Sequence, residues 1–331
     1  MLQSHRRLLS LLLLCCALIF AGTPVTALAS SRHGKMKRIS YSKRVIVDPL
    51  DAWTPNVAAL PPLRANVALV MDLANGEVLL DKNSRVQLPI ASITKLMTAV
   101  VVLDSRLLMN EPLTIAAEDV DFLRHSTSHL QVGTTLVRSD VMRLALMASE
   151  NRAAAALARN YPGGTAAFVA RMNRKALSLG MTHTHFDDPT GLSNGNYATA
   201  QDLARLVAAA GDYDAIRNYT TSAEFTIYPL AGQSPRSFHN TNPLVKSASW
   251  EILVSKTGFT NEAGKCLVMK AKVGQHPVVI VLLDSAGGQS RIADANRVRK
   301  WLEQLPAIRN AIANQEQPRE APAAPTVAYS S

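Results

Sequence analysis

A serine followed one helical turn later by a lysine is a small kit for nucleophilic chemistry, and this chain holds one in Ser92-Ile93-Thr94-Lys95. A serine hydroxyl attacks a carbonyl poorly at neutral pH unless a base takes its proton. A lysine is that base only where burial or neighbouring cations favour the neutral amine. Two further strings follow in order, Ser149-Glu150-Asn151 and Lys256-Thr257-Gly258. S-x-x-K, S-x-N and K-T-G in that sequence point to acyl transfer through a serine ester. Singly, each is also what a helix cap or a solvated strand end carries, so the surrounding elements must decide.

A second S-x-x-K, Ser40 to Lys43, lies in a basic run with no apolar helix after it. After Ser92 the chain reads Leu96, Met97, Val100, Val101 and Leu103. That stripe predicts a deeply buried helix with Ser92 at its N-terminus, at the positive end of the helix dipole, and Lys95 on the same face. Leu144, Leu146 and Met147 mark a helix from Asp140 to Met147 that Ser139 caps, and a second helix runs from Asn151 to Tyr161 before Pro162-Gly163-Gly164. Ser149-Glu150-Asn151 then sits at a tight junction between helices, a good mount for side chains aimed into a cleft. Glu251 to Ser255 reads as a strand closed by Lys256-Thr257-Gly258, with further strands at Cys266 to Val273 and Pro277 to Asp284. The unbroken apolar run from Val278 to Leu283 predicts a strand buried on both faces.

At this point the chain resembles the low-molecular-mass penicillin-binding proteins, and among them those of D-alanyl-D-alanine endopeptidase type. The resemblance runs from about Ala65 to about Leu305. It rests on Pro89 to Ala99, on Ser149 to Ala154, on Asp188-Pro189-Thr190-Gly191-Leu192-Ser193 and on Lys256 to Asn261. The resemblance implies Ser92 as nucleophile, Lys95 as base and Ser149 as the hydroxyl that relays a proton to the leaving amine. Asn151 holds a substrate carbonyl, the backbone N–H groups of Ser92 and Phe259 hold the developing oxyanion, and Lys256, Thr257 and Gly258 belong to the substrate-binding strand. Lys256 and Thr257 bind the substrate carboxylate, and Lys256 is also read as the second cation that keeps Lys95 neutral.

Outside the core, the first 29 residues read as a signal peptide: Arg6 and Arg7, an apolar stretch from Leu8 to Ala21, and Ala27-Leu28-Ala29 as cleavage site. Cleavage there removes Cys15 and Cys16 and leaves Cys266 alone, so the exported chain forms no internal disulfide; Cys266 is read as a small buried hydrophobe. The formal charge of +10 falls by the two arginines to +8. A basic exported protein suits an anionic wall polymer rather than nucleic acid. Residues 30–60 form a basic leader, 61–305 the catalytic domain and 306–331 an Ala/Pro-rich disordered tail.

Val67 to Met71 and Val78 to Leu80 read as a hairpin around Asn75-Gly76, Asn110 to Val137 as irregular, and Thr165 to Leu179, Ala200 to Ala209 (capped by Thr199) and Arg291 to Leu302 as helices. Strands at both ends with helices between predict a mixed α/β fold with an inserted helical subdomain. The resemblance implies a β-lactamase/D,D-peptidase-like antiparallel sheet of about five strands flanked by helices, with the site in the cleft between sheet and helices.

The function implied is a serine D,D-endopeptidase that hydrolyses D-alanyl to diaminopimelate cross-links of peptidoglycan in the periplasm and is inhibited by β-lactams. Its partners are cross-linked stem peptides, β-lactams and wall-remodelling enzymes. No cofactor is implied. A metal is not expected, because His125 and His129 lack an H-E-x-x-H or Cys context. The alternatives are a D,D-carboxypeptidase, a β-lactamase, or a sensor that acylates without turnover. The absence of a Glu-x-x-Leu-Asn string counts against a β-lactamase, and an Ala/Pro-rich tail without an amphipathic face counts against a carboxypeptidase held on the membrane.

Overall fold

The unbroken run from Val278 to Leu283 lies in the middle of an antiparallel sheet, and two different cores claim its alternate residues. Val279, Val281 and Leu283 join the larger core, whereas Val278, Ile280 and Leu282 join a second core on the opposite face. Side chains alternate across a strand, so a strand covered on both faces is apolar throughout. The structure is a computed structural model that describes residues 60–305 apart from 231 and 275. The signal peptide, nearly all of the basic leader, the second S-x-x-K at Ser40 and the Ala/Pro-rich tail lie outside the described residues.

The described part opens with the hairpin β1 (Ala65–Asp72) and β2 (Val78–Lys82). A short strand β3 (Leu88–Pro89) and a 3-10 turn, Ala91–Ile93, lead into α1 (Thr94–Asp104). β4 (Pro112–Thr114) pairs with β5 (Thr135–Val137), and α2 (Arg138–Met147), α3 (Asn151–Arg159) and α4 (Gly164–Ser178) follow. β6 (Tyr197–Ala198) pairs back with β3, and α5 (Ala200–Ala210), α6 (Asp214–Thr221) and the hairpin β7 (Glu224–Ile227) and β8 (Arg236–His239) complete the insertion. The chain then returns to the sheet with β9 (Glu251–Thr260), β10 (Gly264–Val273) and β11 (His276–Ser285), and ends the described part with α7 (Ser290–Leu302).

The main sheet has order β2-β1-β11-β10-β9, so the first hairpin pairs with the late strands. Ala295, Val298 and Trp301 of α7 cover one face, and the larger core, built around α1, covers the other. From Thr94 to Val102 every residue of α1 is buried. Each fully buried Leu, Val or Met there contributes about 1.5–3 kcal/mol. That apolar mass anchors the three polar side chains, Thr94, Lys95 and Thr98, which α1 also carries inward.

Several expectations change, among them Asn110 to Val137, read as irregular, which holds the paired strands β4 and β5. Lys256-Thr257-Gly258 does not close a strand; β9 continues through it to Thr260, because β10 pairs with it along its length, Lys256 opposite Val268 and Thr260 opposite Gly264. Ser139 does not cap α2, which begins at Arg138. The free N–H groups of Arg138 and Ser139 instead donate to the carbonyls of Glu111 and Met109, at 2.8 and 2.9 Å, which leaves a capping side chain nothing to do. Sequence periodicity also missed α6 and the β7–β8 hairpin. Both are short and polar, and only Ile216 and Thr220 of α6 and Ile227 and Phe238 of the hairpin are buried, too few positions for a periodic signal. The Thr199 cap is present, its side chain accepting from the Asp202 N–H.

Candidate active site

Ser92 lies in the 3-10 turn that feeds α1, and its neighbour Ala91 has φ +47. Ser149, at the junction of α2 and α3, has φ +62. Left-handed backbone at non-glycine residues is sparsely populated and persists where surrounding structure holds it. Here it lies at the residue before one candidate serine and at the other itself.

Lys95 is fully buried, and its Nζ stands 2.9 Å from Ser92 Oγ, 2.7 Å from Asn151 Oδ1 and 2.6 Å from the Thr190 carbonyl oxygen. The amide and carbonyl oxygens can only accept, so two N–H bonds of Lys95 are committed to them. The third direction faces Ser92. A charged Lys95 donates there, and a neutral one presents its lone pair to the Ser92 hydroxyl. Asn151 is held in register by its own Nδ2, which donates to Ser126 Oγ at 2.8 Å.

Burial pushes Lys95 down from the usual lysine range to about 7, against the pull of the Asp188, Glu150 and Asp121 carboxylates. Desolvation is therefore what favours the neutral amine near neutral pH, and Lys256 is not among the groups that shift it. Lys256 is itself buried, and burial, together with the nearby Lys95 and Arg291 cations, lowers it well below the usual value. Its Nζ donates to Ser149 Oγ at 2.8 Å and to the Thr257 carbonyl at 2.9 Å. Thr257 Oγ1 donates to Thr241 Oγ1 at 2.7 Å. The site thus holds two hydroxyl–amine pairs, Ser92 with Lys95 and Ser149 with Lys256.

Gly258 has a steric duty. A Cβ there would stand 2.9 Å from the Ile90 carbonyl oxygen, 3.2 Å from Ala91 Cβ and 3.3 Å from the Ser92 nitrogen. Only a residue without a side chain lets the edge strand β9 come this close to the Ser92 turn. Phe259, next along, turns its ring outward, 55% exposed, with Lys265 Nζ 4.5 Å from its centroid.

The Asp188–Ser193 segment packs against α1. Asp188 accepts from the N–H groups of Thr190, Gly191 and Ser193 at 2.5–2.8 Å, and Thr98 Oγ1 donates to the Pro189 carbonyl at 2.6 Å. Asn196 Nδ2 donates to Thr94 Oγ1 at 3.0 Å. These bonds set the Thr190 carbonyl where Lys95 meets it. Gly191, at φ +85, passes so near the turn that a Cβ would stand 1.9 Å from the Ala91 carbonyl oxygen.

The profile of the D-alanyl-D-alanine carboxypeptidase family matches residues 54–287. The chain belongs to that family. It is 46% identical to the D-alanyl-D-alanine endopeptidase of Pseudomonas aeruginosa over 78% of this chain and 84% of that protein. It is 40% identical to the D-alanyl-D-alanine endopeptidase of Escherichia coli over 81% of this chain and 86% of that protein. Among solved structures it is similar to a Streptomyces DD-transpeptidase, with 29% identity and a TM-score of 0.69 over 74% of this chain and 98% of that one.

In this family member the residues singled out from sequence converge as follows. Ser92, Lys95 and Asn151 make one cluster; Ser149, Lys256 and Thr257 make a second; Gly258 of β9 lies beside Ser92, and Phe259 follows it with its ring turned outward. Sequence reasoning gave no role to Thr190, Ser126 or Thr241, which complete these clusters. The Asp188–Ser193 stretch carried a signal for the first, and the polar Ser126-Thr127-Ser128 for the second; Thr241 left none. Cys266 is fully buried, and burial pushes its thiol up to about 11, so it is inert. Among the described residues no group of three His, Cys, Asp or Glu is placed to hold a metal ion.

Proposed function

We propose that this protein is an exported serine D,D-endopeptidase that hydrolyses D-alanyl to diaminopimelate cross-links of peptidoglycan, with Ser92, Lys95 and Ser149 as catalytic residues and Asn151, Lys256, Thr257, Gly258 and Phe259 as its substrate-binding set. The observation that carries the chemistry is Lys95: buried, near neutral pKa, its N–H groups taken by Asn151 and Thr190 so that its lone pair faces Ser92. The likeness to two D-alanyl-D-alanine endopeptidases supports the substrate class.

Ser92 Oγ attacks the D-alanyl carbonyl carbon while its proton passes to Lys95 Nζ. The carbonyl oxygen takes up the negative charge between the N–H groups of Ser92 and Phe259, fixed donors that need no reorganisation. When the C–N bond breaks, the proton from Ser92 reaches the leaving amine through the Ser149 hydroxyl, which Lys256 orients. Lys256 and Thr257 bind on the leaving side. A carboxylate arriving there moves the Lys256 pKa back towards the usual lysine range, against the burial that lowers it. Water then attacks the Ser92 ester, its proton goes to Lys95 and returns to Ser92 as the acid departs.

Glu150, the one carboxylate within Ser149-Glu150-Asn151, does not serve the water. It accepts from Ser128 Oγ at 2.5 Å and from the His129 N–H at 3.0 Å. A carboxylate so committed builds the loop, and since the sequence has no Glu-x-x-Leu-Asn string, slow deacylation of a trapped β-lactam and inhibition by penicillin are expected. Residues 1–29 supply the export signal to the periplasm, residues 61–305 the catalytic domain, and wall-remodelling enzymes are natural partners there. Among the described residues no helix is long and apolar enough to cross a membrane. Incubation of the purified protein with cross-linked dimeric muropeptides tests the reading. Conversion to monomers is expected. Release of terminal D-alanine from monomeric pentapeptide with dimers left intact overturns it in favour of a carboxypeptidase, the activity for which the family is named.

A further inference from the structure

One arginine spans the cleft. Arg124, from the 121–130 loop of the helical insertion, donates from Nε to the Leu192 carbonyl at 2.5 Å, from Nη2 to Asn194 Oδ1 at 2.7 Å and from Nη1 to Glu262 Oε2 at 2.8 Å. Glu262 belongs to the turn between β9 and β10, on the sheet side of the cleft. The guanidinium thereby joins three segments that sequence separates by up to 138 positions.

The loop is built to deliver it. Asp121 accepts from the N–H groups of Leu123, Arg124 and Ser126 at 2.9, 3.0 and 2.9 Å, and His125 is bent to φ +51. Ser126 is tied to Asn151, and Ser128 and His129 to Glu150, so the loop hangs from the Ser149-Glu150-Asn151 junction itself. Burial does not explain the pair. The Arg124 and Glu262 side chains are 23% and 40% exposed, and exposed ion pairs contribute only about 0–1 kcal/mol to stability.

Direction along β9 says what the pair meets. On the proposed function above, Lys256 and Thr257 hold the leaving side and the Phe259 N–H the reacting carbonyl, so the acyl peptide runs on past Thr260 towards Glu262. Along that run the side chain next before the acyl D-alanine is directed to the turn that holds Glu262 and its partner Arg124. A guanidinium has five N–H donors, of which Arg124 spends three, and the carboxylate of Glu262 lies alongside. A cation with donors to spare beside an anion is complementary to an α-amino carboxylate, the zwitterion at the end of a diamino-acid side chain.

We infer that Arg124 and Glu262 form an acyl-side specificity pair that selects peptides whose residue before the scissile D-alanine bears a free α-amino carboxylate. The test compares peptides that carry diaminopimelate, lysine or norleucine at that position and whose scissile D-alanine is joined either to a second D-alanine or to the side-chain amine of diaminopimelate, with acylation by a small fluorescent penicillin as the measure of an intact site. The wild-type protein is expected to prefer diaminopimelate over norleucine by about tenfold to hundredfold in kcat/KM, the effect of one or two charge-assisted bonds. Arg124→Gln and Glu262→Gln each shrink that ratio to about threefold or less while penicillin still acylates. A wild-type ratio near one, or a ratio unchanged in a variant that still acylates, overturns the inference. If Arg124→Gln no longer acylates, Glu262→Gln decides by the same ratio. A diaminopimelate preference in an enzyme that leaves cross-linked dimers uncut refutes the endopeptidase reading and leaves this inference standing.

Discussion

Lys95 Nζ and Asn151 Oδ1 meet at 2.7 Å across 56 residues of chain, joining the helix that follows Ser92 to the helix that follows Ser149. The amide oxygen accepts but does not titrate, so it orients Lys95 without holding its proton. A carboxylate in its place would orient Lys95 as well and spoil it as a base.

Asn151→Asp tests this. The new charge beside a buried amine raises the pKa of Lys95 by about 1–3 units, and the pH at which penicillin acylation reaches half its maximum moves upward by that amount. Stopped-flow acylation across pH measures it; an unmoved midpoint assigns the titration to another group.

In the unmodified protein acylation is expected to rise through about pH 7, where Lys95, lowered by burial, gives up its proton. Lys95→Arg abolishes it, since guanidinium keeps its proton at every usable pH. Stability follows the same group with a definite sign. The folded pKa of about 7 lies below the unfolded value of about 10.4, so between those values the unfolded chain binds more protons and stability rises with pH. Urea unfolding at several pH values should show that rise flattened in Lys95→Met.

Ser92→Ala removes covalent labelling by a fluorescent penicillin, whereas Ser40→Ala leaves it intact. In sequence only Ser92 is followed by an apolar stripe, which the structure shows as the buried helix α1. Labelling that survives in Ser92→Ala would move the nucleophile elsewhere.

Gly258→Ala places a methyl 2.9 Å from the Ile90 carbonyl oxygen and 3.3 Å from the Ser92 nitrogen. β9 must retreat from the Ser92 turn, at about 1–3 kcal/mol of stability. Because an oxyanion donor works only within a few tenths of an ångström of its place, acylation is expected to fall by about a hundredfold or more. Thermal unfolding and acylation kinetics on one preparation separate the two effects; acylation near the unsubstituted rate would show that the close approach is not needed.

The sequence by itself singled out the candidate residues and most of the elements that carry them. Ser92 and Lys95 share a face because a helix brings residues three apart together, and the apolar stripe from Leu96 to Leu103 says that this helix is buried. The run from Val278 to Leu283 announced a strand covered on both faces for the same periodic reason. Tertiary structure alone decided the protonation of the site. The depressed pKa of Lys95 comes from burial opposed by Asp188, Glu150 and Asp121, and that of Lys256 from burial beside Lys95 and Arg291. Desolvation and Coulomb interactions act through space, between positions that share no period along the chain. The pairing of Lys256 with Ser149 across 107 residues, the Thr190 carbonyl behind Lys95 and the reach of Arg124 to Glu262 are of that kind. Each exists because a loop was folded against a helix or a strand edge, and no local pattern of residues records where such a loop comes to rest.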